Sequence, residues 1–146
     1  MDKRLKSKEI ETLALHAGYV PDDASQACAV PVYRTSSYIF KNSQHAADLF
    51  SLEESGNIYS RIMNPTHDVL EQRMAALEHG KGALVFSSGT SAVFSTIINI
   101  CTAGDEIIAS SKLYGGTYTM FDTILPQLGI CVTFVYPSEL ENCAAA

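Results

Sequence analysis

No apolar run in this sequence approaches the ~20 residues that cross a bilayer as a helix, so no membrane span is expected. The opening Met1-Asp2-Lys3-Arg4-Leu5-Lys6 is charged and has no apolar h-region behind it, so no signal peptide is expected. Basic charge is scarce. Ten Lys and Arg stand against 16 Asp and Glu, for a formal net charge of −6 and a pI near 5.1. A nucleic-acid or anionic-membrane partner wants a basic face, and neither partner is expected. The four cysteines, Cys28, Cys101, Cys131 and Cys143, are nowhere at C-x-x-C spacing, and no metal set is expected. Cys101 and Cys131 fall inside apolar runs and read as small core hydrophobes, which points to the reducing cytosol. The chain also lacks internal repeats and low-complexity tracts.

What is there suffices for one core: 146 residues, 47% hydrophobic and 18% charged. The organising stretch is Val85-Phe86-Ser87-Ser88-Gly89-Thr90-Ser91-Ala92. Ala83-Leu84-Val85-Phe86 reads as a short buried strand, and Ala92 to Ile100 as a buried helix. A strand, a tight turn of small residues and a helix start make an anion cradle. The first-turn N–H groups and the partial positive charge of the helix face whatever sits in the turn. Gly89 allows close approach, and the hydroxyls add donors. The motif is not a Walker A loop, because no Gly-Lys-Ser/Thr follows. It is neither a G-x-G-x-x-G fingerprint nor a nucleophile elbow, since Val85 stands where the elbow needs glycine. The same residues also serve as an ordinary turn and N-cap, so both readings stay open on this stretch alone.

Residues 1–57 have no steady period. Ser7 to His16 is expected to form a short helix, Val30–Tyr33 and Ser37–Phe40 extended pieces, and His45–Phe50 a helical turn or two. An arm this apolar with so little regular structure suggests contact with another domain or subunit. Asn64-Pro65 is a helix start, with Leu70, Met74 and Leu77 on one face and Gly80 as the stop. Arg61 is either a solvated surface charge or a clamp on a phosphate or carboxylate, helped by the Tyr59 hydroxyl. Beyond Gly104, Glu106–Ser110 reads as a strand. Lys112–Tyr118 reads as a loop leading into a helix through Leu125, and Ile130–Tyr136 as a third strand. Continuous apolar strands alternating with helices predict a parallel sheet covered on both faces by right-handed crossovers. Ligands of such a sheet sit outside the carboxyl ends of its strands, where Gly89 and Tyr114 both lie.

Taken together, several stretches resemble motifs of the γ-family of pyridoxal-phosphate enzymes that handle cysteine, homocysteine and methionine. They are Leu15-His16-Ala17-Gly18, Val30-Pro31-Val32-Tyr33, Tyr59-Ser60-Arg61-Ile62-Met63-Asn64-Pro65-Thr66, Ser87-Ser88-Gly89 and Tyr114-Gly115-Gly116-Thr117. They occur in family order from about residue 12 to the end. The resemblance implies an α/β fold of the aspartate-aminotransferase-like kind (fold type I). On this reading residues 1–57 are an N-terminal arm making inter-subunit contacts. Residues 58–146 are the first part of the large, mostly parallel cofactor-binding domain. It also implies roles. Ser88 and the N–H groups of Gly89 and Thr90 would hold the phosphate of pyridoxal 5'-phosphate, although the family often has methionine where Thr90 stands. Tyr59 and Arg61 would reach the phosphate of the neighbouring subunit's cofactor, making a homodimer the active unit, within a homotetramer. Tyr114 would stack on the pyridine ring and help move protons.

The family's cofactor-anchoring lysine and its partner aspartate at the pyridine nitrogen would lie beyond residue 146. None of Lys3, Lys6, Lys8, Lys41, Lys81 and Lys112 matches the lysine's position. The chain therefore reads as the front of a longer cytoplasmic enzyme acting on a small amino-acid substrate. The expected reaction is γ-replacement in methionine and cysteine biosynthesis, converting O-acetylhomoserine and sulfide (or a thiol) to homocysteine and acetate. Methionine γ-lyase and cystathionine γ-synthase or lyase are the alternatives. A further, non-enzymatic alternative is that residues 1–146 by themselves are an inactive fragment. Gly116, where methionine γ-lyases typically carry cysteine, favours the sulfhydrylase.

Overall fold

The computed structural model describes residues 9–138. The chain divides into two compact units, Met1–Val85 and Phe86–Ala146. Among the described residues the first holds three helices: α1 (Ile10–His16), α2 (Ser43–Phe50) and α3 (Pro65–Leu77). The two residues that would begin the expected first helix, Ser7 and Lys8, lie outside the described residues, as does Cys143.

α1 packs on α3, with Leu13 and Ala17 buried. Gly18 follows with φ of 77°, and a Cβ there would lie 2.6 Å from the Val69 carbonyl oxygen. Only glycine meets both demands, the left-handed backbone and the close approach to α3. Arg73 Nε fastens the same corner by donating to the Ala17 carbonyl at 2.9 Å. α2 begins where Asn42 accepts from the His45 amide at 2.8 Å, and it buries Leu49.

α3 starts as Asn64-Pro65 dictates. Asn64 has an extended backbone, its side chain accepts from the Thr66 amide at 2.9 Å, and Pro65 fills the first turn, where its missing N–H costs nothing. At the other end the left-handed residue is His79, not glycine. Gly80 comes one position later, its amide closing on the Ala75 carbonyl at 2.8 Å. The predicted apolar face is not covered among the described residues, since Leu70 and Met74 remain exposed. Val30–Tyr33 and Ser37–Phe40 are extended without a ladder, apart from an antiparallel bridge between Ser37 and Tyr59.

These extended pieces are tied to α3 by side chains. Asn64 is buried, and its amide group donates to the Tyr33 carbonyl at 3.0 Å and to Ser60 Oγ at 2.9 Å. Thr66 Oγ1 donates to the Pro31 carbonyl at 3.0 Å and accepts from the Tyr33 amide at 2.9 Å. Asn64→Ala removes a cap and leaves the buried end of this clasp unpaired. It should destabilise the full-length protein by about 2 kcal/mol in denaturant unfolding. Asn64→Asp, which keeps the capping oxygen but not the donors, should recover part of the loss. Equal stability of the alanine variant and the wild type would show that the clasp contributes nothing.

The second unit runs α4 (Gly89–Ile100), β1 (Glu106–Ser110), α5 (Gly115–Thr119), a π-helical turn (Met120–Ile124), α6 (Leu125–Gln127) and β2 (Cys131–Val135). β1 and β2 pair in parallel, with Ile107 opposite Val132 and Ala109 opposite Phe134. The widened turn precedes Pro126, which has no N–H to continue an α ladder. Ala109, Met120, Phe121, Leu125 and Ile130 form the core, and Val93, Phe94, Ile97 and Cys101 pack against it. The turns entering the two strands meet where the Gly104 amide donates to the Gly129 carbonyl at 2.8 Å, both glycines having positive φ.

Three expectations are corrected here. Ala83–Phe86 is extended but not a strand, and Leu84 is 70% exposed. A strand needs a ladder partner; the Val85 amide is spent instead on Glu71 Oε1 at 2.9 Å. Cys131, at the first position of β2, is exposed rather than part of the core. Among the described residues the sheet is covered on one face, with Ala109 buried while its neighbour Ile108 is 49% exposed.

Candidate functional site

The start of α4 has the small-residue turn and the helix start of the expected anion cradle, without the strand expected before it. Ser88 is the cap, with φ −152° and ψ 153°. Its Oγ accepts from the Ser91 amide at 3.1 Å and bonds the Ser91 hydroxyl at 2.9 Å. The Ala92 amide bonds the Ser88 carbonyl at 3.1 Å. Two first-turn donors are thereby used. The other two, the amides of Gly89 and Thr90, have no hydrogen-bond partner among the described residues. Both point out of the helix end, where the macrodipole favours negative charge. Gly89 does not have the left-handed φ that requires glycine, and a Cβ there would meet nothing within 4 Å. Among the described residues nothing beyond the adjacent backbone crowds this position. A phosphate suits it, with oxygens to accept both donors and a charge that matches the dipole.

Tyr114 stands just past the carboxyl end of β1, as expected. Its backbone caps α5, and the Tyr118 amide bonds its carbonyl at 2.9 Å. Tyr114 is 77% exposed, which leaves its ring available for stacking on a flat partner. α4 and α5 pack against each other in this unit. Nearby, the Lys112 ammonium lies 4.6 Å from the centroid of the Tyr136 ring, so this cation is held on an aromatic face.

Tyr59 and Arg61 belong to the first unit, and there the structure brings them together. The guanidinium carbon lies 5.2 Å from the Tyr59 ring centroid. Among the described residues no carboxylate pairs with Arg61, so its five donors remain for a ligand. Arg61 lines an open cavity of about 250 Å³ together with Asn57, Asn64, His67, Asp68 and Glu71. The turn carrying the pair is fixed from both sides. The amides of Ile62 and Met63 bond the Tyr59 carbonyl at 2.9 and 3.0 Å, and the Ser60 amide bonds the Ser36 carbonyl at 2.9 Å. Ser60 Oγ donates to the Thr35 carbonyl and accepts from Asn64. Ser60 and Asn64 thus hold the turn in place, a role that the sequence reading did not assign. Their place within one motif with Tyr59 and Arg61 was the available signal. No group of three or more His, Cys, Asp or Glu fit to hold a metal occurs among the described residues.

Comparison with known proteins gives this arrangement a context. The model of the Cys/Met metabolism PLP-dependent enzymes matches residues 11–146. The chain is 56% identical over 132 residues to the O-acetyl-L-homoserine sulfhydrylase of Leptospira meyeri, covering 90% of this chain and 30% of that protein. It is 51% identical over 141 residues to the homocysteine synthase of Schizosaccharomyces pombe, covering 97% of this chain and 33% of that one. Among solved structures, a Campylobacter jejuni protein assigned as an O-acetylhomoserine (thiol)-lyase aligns with a TM-score of 0.87 at 40% identity. That alignment covers 94% of this chain and 34% of the other, whose structure contains N'-pyridoxyl-lysine-5'-monophosphate. The chain therefore spans about a third of the length of the curated relatives it matches. Its fold is the fold type I architecture that the resemblance implied.

Proposed function

This chain belongs to the Cys/Met metabolism PLP-dependent enzymes, and we propose on that footing that it forms the phosphate-cradling N-terminal part of an O-acetylhomoserine sulfhydrylase. The parent enzyme takes O-acetylhomoserine and sulfide, or a thiol, and releases homocysteine and acetate. The observation that carries this reading is the pair of unspent amides at Gly89 and Thr90, in a chain 56% identical to a sulfhydrylase of that substrate.

When bound, pyridoxal phosphate supplies an electron sink for the amino-acid substrate. The residues of this chain bind and orient it. The amides of Gly89 and Thr90 take phosphate oxygens, and Ser88 keeps the helix end open for them through its bond to the Ser91 amide. The Tyr114 ring lies against the flat cofactor, and its phenol oxygen holds or passes a proton. Tyr59 and Arg61 reach the phosphate bound by a second copy of the chain, so the active unit is a homodimer, built into a homotetramer. Residues 1–57 act as the arm that contacts the neighbouring subunit, and residues 58–146 begin the cofactor domain. Residues 1–146 by themselves are inactive on this reading, because no lysine here stands at the anchoring position. The proposed compartment is the cytoplasm.

Steady-state assays of the full-length protein test the substrate. Sulfide-dependent homocysteine formation from O-acetylhomoserine should exceed breakdown of methionine by on the order of a hundredfold in kcat/KM. Rapid α-ketobutyrate release from methionine, with no sulfide-dependent homocysteine, would overturn the assignment in favour of methionine γ-lyase.

A further inference from the structure

Glu71 lies on α3 and is half-buried. Its Oε1 accepts from the Val85 amide at 2.9 Å, across 14 positions of sequence. Among the described residues this is the only hydrogen bond made by residues 83–87. An extended run with no ladder has no register to hold it, so this bond is what ties the segment to α3. A carboxylate acceptor makes the bond stronger than one between neutral groups. The bond lies within the first unit, at its last residue. Its effect passes on through the chain itself. Only Phe86 and Ser87 separate Val85 from Ser88, the cap of α4, a span of at most about 11 Å of extended chain. Glu71 also lines the cavity that holds Arg61, yet its oxygen is given to the main chain, and among the described residues no ion pair joins the two.

We infer that Glu71 is a positioning residue for the cofactor phosphate: by holding the Val85 amide it sets the path on which the chain enters Ser88, and with it the aim of the Gly89 and Thr90 amides. This rests on the phosphate cradle proposed at those two amides. Glu71 acts only through the main chain and need touch neither cofactor nor substrate. Its charge by itself works in the opposite sense. Taking a carboxylate out of the surroundings of Arg61 favours an anion at the guanidinium, so charge loss without movement of the chain would tighten phosphate binding. The sign of the effect therefore separates the two.

The test uses the full-length apoenzyme, as wild type and as the variants Glu71→Met, Glu71→Asp, Glu71→Gln and Thr90→Pro. Each is titrated with pyridoxal phosphate and with pyridoxal, which lacks the phosphate. The ratio of the two dissociation constants reads the phosphate site alone, because a general loss of stability weakens both ligands together. Glu71→Met keeps the length of the side chain but offers no oxygen, and Glu71→Asp keeps the charge but shortens the reach. Each should lower the preference for the phosphorylated ligand by on the order of tenfold, the scale of small misplacements in an active site. Glu71→Gln, which still has an oxygen to accept with, should fall between these and wild type. A preference unchanged or raised in either Glu71→Met or Glu71→Asp, while Thr90→Pro lowers it, would overturn the inference and leave the cradle standing. A preference unchanged in Thr90→Pro would instead remove the cradle, and the inference with it. If Glu71→Met does not accumulate as folded protein, Glu71→Asp decides by the same comparison.

Discussion

Arg61→Ala in the full-length enzyme is expected to weaken binding of pyridoxal phosphate by roughly tenfold to thousandfold. The guanidinium sits 5.2 Å from the Tyr59 ring centroid and has no carboxylate partner among the described residues. Its fork is therefore oriented but unspent. A charge-assisted hydrogen bond to phosphate contributes about 1.5–3 kcal/mol; losing one gives roughly tenfold to hundredfold, and losing two at about 2 kcal/mol each gives about a thousandfold. Arg61→Lys should fall between alanine and wild type, since it keeps the charge but not the two-pronged geometry. The proposed reach across the dimer gives a second signature. Subunits carrying Arg61→Ala, mixed with subunits lacking the anchoring lysine, form dimers in which one site has both an intact lysine and an intact arginine from the other chain. Random mixing in equal amounts should restore at most about a quarter of wild-type activity, since half the dimers are mixed and each has one good site of two. If mixed dimers form and activity does not return, Arg61 serves its own chain or the surface.

How much of this could be read in the sequence depended on whether the determining chemistry is local. Asn64-Pro65 specified the start of α3 because a cap and a fixed φ act within one turn. The β-branched apolar runs around Ile107 and Val132 were legible as parallel strands, and they pair with each other. Ala83–Phe86 has the same apolar character, yet its Val85 amide is taken by Glu71. Strand formation requires a partner, which no local pattern supplies. The widening at Met120–Ile124 was hidden because it depends on how the helix accommodates Pro126. His79 took the left-handed position where a glycine signal pointed one residue further on.

For the candidate site, the turn Ser88-Gly89-Thr90 was legible as the capped start of a helix, and residue types alone left an anion cradle and an ordinary N-cap both open. That two of its amides are used and two are not depends on the three-dimensional path of the turn, which residue types do not fix. Tyr59 and Arg61 sit in an aperiodic turn, so only the motif as a whole drew attention to them. The clasp of Ser60, Asn64 and Thr66 joins residues more than 20 positions apart, which no periodicity reveals.

That two main-chain amides hold the cofactor phosphate is tested most directly at Thr90, by comparing two substitutions. Thr90→Ala removes the side chain and keeps the amide. Thr90→Pro removes the amide itself, at a first-turn position where proline fits a helix and the preceding Gly89 tolerates its ring. The measurement is the dissociation constant of pyridoxal phosphate, from titration of the full-length apoenzyme, with far-ultraviolet dichroism to verify that the helices remain. Loss of one charge-assisted bond should raise the Kd of Thr90→Pro by roughly tenfold to hundredfold. Thr90→Ala should stay within about threefold of wild type, as a main-chain donor requires. Wild-type affinity in a folded Thr90→Pro enzyme, or a loss in Thr90→Ala as large as that in Thr90→Pro, would contradict the amide cradle.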